Sequence, residues 1–263
     1  MAKRNIKKSK PSIWVSQNFL TSSKTIHRLL KTTSLNKNDQ VIEIGPGKGH
    51  ITRLLLKKCR RVLAIEIDDK LYNKLSTKFS TAPNLTLYHQ DFLKWQLPAN
   101  EYKVFSNIPF CITTKILRKL TECRNPPVEA WLVIEKGVAK CLMGKPKETL
   151  NSMLIKPLFD VNITYYFQRE DFYPRPGVDV VMIHLKRKPN ADIAANQWRA
   201  YRSFVNIGLQ ESGHGLLHLF SKKQLYKALR TAGVQNDIVP AEILYVQWLC
   251  LFRCYWKYVL GRK

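Results

Sequence analysis

The residues with the most chemical content stand at Asn107-Ile108-Pro109-Phe110. An amino nitrogen on a purine ring shares its lone pair with the ring and is a poor nucleophile until it pyramidalises. Two acceptors aimed at its hydrogens favour that change. The Asn107 side-chain oxygen and the Pro109 backbone carbonyl form such a pair, and proline, whose own φ is fixed, helps to aim its carbonyl. Phe110 offers a flat face on which an extruded base can stack. No strong general base is needed when the transferred group is held in line, because positioning supplies much of the rate. A bare N-x-P tripeptide is a common turn, so the chemical reading rests on its place after a strand. Cys111 would be the nucleophile of an enzyme that alkylates carbon 5 of a pyrimidine. It follows the aromatic residue at the start of a helix, where packing is the expected role.

A second motif, Val41-Ile42-Glu43-Ile44-Gly45-Pro46-Gly47-Lys48-Gly49, runs a strand into a glycine turn. Gly45 and Gly47 let a ligand reach the backbone without a Cβ in the way. The phosphate loop G-x-x-x-x-G-K-[ST] is absent, and the third glycine of a dinucleotide site, G-x-G-x-x-G, comes one residue early. E-x-G-x-G-x-G suits a nucleoside without a pyrophosphate, and S-adenosylmethionine is the usual case; a purely structural turn is the alternative. Glu66 ends the next strand, where a carboxylate can take both ribose hydroxyls. NAD would ask for the same group. Asp91 closes the third strand and can accept from an adenine amino group. Each acid could equally cap a helix, but in a chain with 19 acids, two that end successive strands favour a binding site.

These residues need a frame that brings strand ends together. Strand patterns fall at residues 40–44, 61–67, 85–89, 103–106, 128–134, 161–167 and 178–185, with helical patterns between them, including 68–79 with Asp68 as cap and 113–123. The alternation implies βαβ units and a parallel sheet with helices on both faces, with ligands at the carboxyl ends of the strands. After Pro189-Asn190 the periodicity is helical only, over 198–209, 222–232 and 241–260. The expected organisation is a basic tail over 1–12, a Rossmann-like catalytic domain over 13–188 and a small helical domain over 189–263. Tyr245, Trp248, Phe252, Tyr255 and Trp256 recur at helical spacing and read as the core of that small domain.

Composition narrows the partner. The 263 residues carry a formal net charge of +25, too large for an ordinary metabolic enzyme, which points to a polyanion. Lys3, Arg4, Lys7, Lys8 and Lys10, with no acid among them, read as a solvated tail or a phosphate-gripping arm. Six scattered cysteines include no C-x-x-C pair, so a zinc ribbon or disulfide scaffold is not expected. The apolar stretch at 243–260 contains Gln247, Arg253 and Lys257 and reads as a packed helix, not a membrane span. The expected location is cytoplasmic.

Taken together, these motifs resemble the rRNA adenine N6-dimethyltransferase superfamily, whose branches are the Erm macrolide-resistance enzymes and the KsgA-type housekeeping enzymes. The resemblance implies a class I S-adenosylmethionine-dependent methyltransferase sheet with a small C-terminal helical domain. Gln17-Asn18-Phe19-Leu20 is similar to the family's opening motif, which would put Asn18 and Leu20 against the cofactor. Gly45 would line its methionine side, with Gly47 in the same turn, Glu66 its ribose and Asp91 its adenine. Asn107 would sit between the cofactor methyl and the target base. Phe172-Tyr173-Pro174-Arg175-Pro176 resembles the F-x-P-x-P motif, which would make Phe172 a second stacking aromatic beside Phe110. Ser106 to Phe110, followed by Ile112-Thr113-Thr114-Lys115-Ile116-Leu117, is similar to the Erm pattern, although Gly177 and Asp179-Val180 depart from both branches.

On that resemblance the partner is 23S rRNA, naked or in a partly assembled large subunit, with no metal and no membrane, and the chain acts as a monomer. The residues by themselves reach only a nucleic-acid adenine methyltransferase. A housekeeping 16S rRNA dimethyltransferase and a non-catalytic RNA-binding assembly factor are the rival readings. A NAD dehydrogenase would need an acid–base His or Lys set at the strand ends, which the sequence lacks.

Overall fold

The computed structural model describes residues 18–210, 215–235 and 239–261; the basic segment at 1–12 and Gln17 lie outside them. The first elements are β1 (Phe19–Leu20), α1 (Ser23–Lys31), β2 (Gln40–Ile44), α2 (His50–Lys58), β3 (Arg61–Glu66), α3 (Asp69–Lys78), β4 (Leu85–His89), β5 (Lys103–Asn107), α4 (Thr113–Thr121) and β6 (Glu129–Glu135). There follow α5 (Lys136–Met143), α6 (Leu150–Ile155), β7 (Phe159–Tyr166), β8 (Phe172–Tyr173) and β9 (Val180–Arg187). The last helices are α7 (Trp198–Gly208), α8 (Gly215–Leu219), α9 (Lys222–Thr231) and α10 (Tyr245–Tyr255). The chain gathers into two compact units, one running to Lys136 and including Thr164–Ile183, the other made of Gly137–Ile163 and His184–Lys263.

Seven strands form one sheet in the order β4-β3-β2-β5-β6-β9-β7, the mixed α/β architecture expected from the sequence. Strands β2 to β6 pair in parallel. Strands β2, β3 and β6 read as largely apolar runs, as strands covered on both faces do, whereas the edge strand β4 is only half-buried. Val41, Ile42 and Ile44 of β2 and Val62 to Ile65 of β3 are all at most 4% exposed. Strand β9 runs the other way. Lys136, just past the carboxyl end of β6, donates its N–H to Asp179 just before β9 at 2.9 Å, and Phe167, just past β7, donates to Val180 at 3.1 Å. Strand β9 therefore starts where its neighbours finish.

Helix α1 turns Ile26, Leu29 and Leu30 into the core, and Ser22 caps it by accepting the Thr25 N–H at 3.2 Å. Asp68 caps α3 in the same way, accepting from Leu71 at 2.5 Å. Each cap contributes about 1 kcal/mol to its helix.

In the second unit the helix expected over 241–260 starts at Tyr245, after a 3₁₀ turn at Pro240–Glu242, and widens into a π turn over Trp256–Leu260. Trp248 and Phe252 are buried there as core, with ring centroids 5.7 Å and 5.5 Å from that of Phe204. Among the described residues no helix is long and apolar enough to cross a membrane.

The chain leaves β2 outward through β3 to β4, then returns to lay β5 on the other side of β2. The switch point between β2 and β5 is where an open α/β sheet leaves a crevice at its carboxyl edge.

Candidate active site

Both motifs meet at that switch point. Ile44 ends β2 and Asn107 ends β5, and the Ser106 hydroxyl donates to the Ile44 carbonyl at 2.5 Å, pinning the two strand ends together. Beyond Ile44, the Gly45 N–H reaches across to the Ile65 carbonyl at 2.9 Å. Gly45 and Gly47 hold φ of 64° and 59°, a left-handed region that disfavours any side chain. At Gly47 there is no room for one either, since a Cβ would stand 2.7 Å from the Phe19 ring.

Glu66 ties the turn to β3. One carboxylate oxygen accepts the Gly47 N–H at 3.1 Å, and the other accepts from Ile67 and Asp68 at 2.9 and 3.0 Å. The residue is 1% exposed, and burial raises its pKa against the opposing pull of those three N–H groups. Asp91 stands at the next strand end, with its carboxylate accepting the Leu93 N–H at 2.8 Å. Gly45, Glu66 and Asp91 line one cleft of about 260 Å³, together with Pro109 and Ile112. Bare backbone at one end and two carboxylates along the wall suit a ligand that presents hydroxyls and an exocyclic amine. The residues present therefore fit an adenosine-bearing cofactor.

Asn107 is the most informative group in the site. Its Nδ2 donates to the Asn18 carbonyl at 2.7 Å. A carbonyl can only accept, so the amide is locked with Oδ1 turned the other way. That Oδ1 is buried and has no hydrogen-bond partner among the described residues. Buried acceptors are almost always satisfied, so an orphan marks a place where a partner is meant to arrive. Asn18, Phe19, Gly45, Ile108, Pro109 and Phe110 complete an opening of about 20 Å³ around it, room for about one water-sized group. None of these residues titrates.

The other sequence-derived residues divide. Phe110 is half-buried on the rim of that opening. The Pro109 carbonyl, expected to face the amine, accepts the Ile112 N–H at 3.1 Å and lies 3.4 Å from the Thr113 hydroxyl, in the turn that starts α4. Asn18 reaches the site through its backbone, while its side chain donates to the Pro174 carbonyl at 2.8 Å. Leu20 is 3% exposed and belongs to the core.

Phe172 is also 3% exposed, with its ring 5.2 Å from and nearly edge-on to that of Phe167, so it presents almost no surface to a base. The cause is the two-residue ladder in which Phe19 pairs with Tyr173 and Leu20 with Phe172. Alternation sends Leu20 and Phe172 inward and leaves Phe19 and Tyr173 on the outer face. Cys111, expected to pack, is exposed.

Two features escaped the sequence reading. The β1–β8 ladder is too short to show periodicity. Glu43, visible only as the first letter of the glycine motif, is 1% exposed, and its Oε2 has no hydrogen-bond partner among the described residues. Burial pushes its carboxyl up to about 8, against the opposing pull of neighbouring Thr52.

Residues 8–256 match the sequence model of the family described as "Ribosomal RNA adenine dimethylase". An rRNA adenine N-6-methyltransferase of Limosilactobacillus reuteri is 36% identical over 256 residues, 97% of this chain and 98% of that protein. The crystal structure of the 23S rRNA methyltransferase ErmE superposes with a TM-score of 0.82 at 30% identity, covering 90% of this chain and 99% of that one. A dimethyladenosine transferase from Plasmodium falciparum shares the fold, with a TM-score of 0.69 at 19% identity over 91% of this chain and 98% of its own.

Proposed function

Since the chain belongs to the ribosomal RNA adenine dimethylase family and is thereby an S-adenosylmethionine-dependent rRNA adenine N6-methyltransferase, we propose that its target is one adenine in the peptidyl-transferase loop of 23S rRNA. Mono- or dimethylation there removes amino hydrogens and adds bulk where macrolides, lincosamides and streptogramin B bind, so resistance follows from sterics. Two features support 23S over 16S rRNA: the Erm-like run from Ser106 to Leu117, and the near full-length likeness to a 23S rRNA methyltransferase. The chain would act in the cytoplasm as a monomer, on RNA not yet buried in a finished subunit.

The observation that carries the mechanism is the orphaned Asn107 Oδ1. Gly45, Glu66 and Asp91 would hold the cofactor in the 260 Å³ cleft, with Glu66 at the ribose and Asp91 at the adenine. When bound, S-adenosylmethionine supplies an electrophilic methyl on a sulfonium sulfur. Asn107 Oδ1 accepts a hydrogen of the target amine, which favours the pyramidal nitrogen and frees its lone pair. Phe110 stacks on the extruded base and fixes the plane from which the lone pair emerges. The proline contributes a rigid turn, and Asn107 carries the acceptor role. With no titrating side chain among the described residues that line the opening, the proton released from nitrogen leaves to solvent. Rate comes from alignment and a preorganised dipole.

The resistance reading is tested by expressing the chain in a macrolide-susceptible bacterium beside Asn107→Ala. A raised minimum inhibitory concentration for macrolide and lincosamide with the parent chain, absent with the variant, supports it. Unchanged susceptibility with detectable rRNA methylation elsewhere overturns it in favour of the housekeeping branch.

A further inference from the structure

Tyr173 is 67% exposed, an unusual place for a large aromatic side chain, and hydrogen bonds on both sides hold its backbone there. It pairs with Phe19 across the two-residue ladder. The flanking Pro174 carbonyl accepts from Asn18, and the Asp171 carbonyl accepts the Thr21 N–H at 3.0 Å. Asn18 is also the residue whose carbonyl fixes the Asn107 amide. One cross-strand step of about 5 Å and one chain step of about 3.8 Å separate the Tyr173 backbone from that of Asn18, whose carbonyl meets the Asn107 amide at 2.7 Å.

Lys48, in the glycine turn, puts its ammonium 5.4 Å from the Phe19 ring centre and 5.9 Å from that of Tyr173. It is exposed, and no described carboxylate lies within ion-pair distance of it. The comparable pair at the end of β7, Tyr166 and Lys136, differs in that Lys136 is already tied to Asp179 at 3.1 Å.

We propose that Tyr173 and Lys48 form a stacking site for a nucleotide next to the extruded adenine, with the base on the tyrosine ring and its phosphate against the lysine ammonium. This subsite rests on the rRNA-methylating activity but not on the choice of 23S over 16S. An outward aromatic ring beside an uncommitted cation is what a single-stranded RNA segment uses, since every base has a face to stack and every nucleotide a charge to meet. The arrangement also reassigns the second aromatic contact with RNA. The ladder buries Phe172 and presents its neighbour.

The test is a double-mutant cycle on the full chain with an RNA hairpin that carries the methylated adenine, taken from whichever rRNA the wild type methylates. A second set of hairpins is abasic at one or the other position beside that adenine. Hairpin affinity is read by fluorescence anisotropy, and S-adenosylmethionine affinity by calorimetry. Tyr173→Ala should weaken binding of the intact hairpin roughly tenfold, the size of a lost base stack, and Tyr173→Trp should restore it. An abasic position on one flank should weaken the wild type by a similar factor, and the two losses should not add. Cofactor affinity should stay unchanged.

Unaltered hairpin affinity, fully additive losses at both flanks, or a fall in cofactor affinity instead would overturn the subsite. A wild-type chain that methylates no rRNA would overturn the functional reading and the subsite with it. The first set of failures leaves methylation intact, so the two are distinguishable.

Discussion

The Asn107 side-chain amide donates to the Asn18 backbone carbonyl at 2.7 Å, so the segment before β1 orients the group at the end of β5. Asn107 Oδ1 is presented to the site because its Nδ2 is occupied. Asn107→Ala is expected to lower methyl transfer by at least about 100-fold, the scale for removing a preorganised polar contact, with little change in cofactor affinity. Asn107→Asp keeps an acceptor but turns a second oxygen toward the Asn18 carbonyl, and it should fail too. Single-turnover transfer with both variants checks this; an active Asn107→Asp would show that the Asn18 contact does not orient the group.

Phe110 is expected to matter as a ring. Phe110→Ala should reduce turnover by about tenfold or more, as for a lost base stack, while Phe110→Tyr should retain most of it. Steady-state kinetics with a saturating cofactor separate the two cases, and equal losses would argue against stacking.

Glu66 both binds the Gly47 N–H and lines the cofactor cleft. Removing a charged acceptor should cost about 1.5–3 kcal/mol, so Glu66→Ala is expected to raise the cofactor Kd by roughly 10- to 100-fold. Titration calorimetry gives the value. An unchanged Kd would remove Glu66 from the site.

Much of this was legible in the sequence because parallel strands buried on both faces leave unbroken apolar runs. Residues 61–67 and 128–134 read as strands from such runs and match β3 and β6. The glycine turn and the acids at 66 and 91 were legible from their places, each at or just beyond the end of a strand. Phe172 was not. A two-residue ladder carries no period, and one step of alternation decides whether Phe172 or Tyr173 faces outward. That the Pro109 carbonyl also closes a turn was not legible, because the residues name a turn without saying which amide closes it; here the Ile112 N–H does. Helices α5 and α6, eight and six residues long, are too short for a pattern to stand out.

Glu43 gives a stability prediction whose sign is fixed. Its carboxyl titrates near 8 in the folded chain, against an ordinary value of 4.5. The folded state therefore keeps a proton that the unfolded chain releases, and this residue's contribution to stability falls as the pH rises from about 4.5 to about 8. Glu43→Gln keeps the shape without the titration. Its melting temperature relative to wild type should climb across that window and level off above it. Parallel pH profiles for the two proteins would show that Glu43 does not carry the effect.

The most direct measurement offers labelled S-adenosylmethionine with protein-free 23S rRNA, protein-free 16S rRNA and 30S particles in parallel, and maps the labelled nucleotide. Label confined to one adenine in the peptidyl-transferase loop of 23S rRNA is the expected result. Label in 16S rRNA or 30S particles, or no label in any of the three, would contradict it.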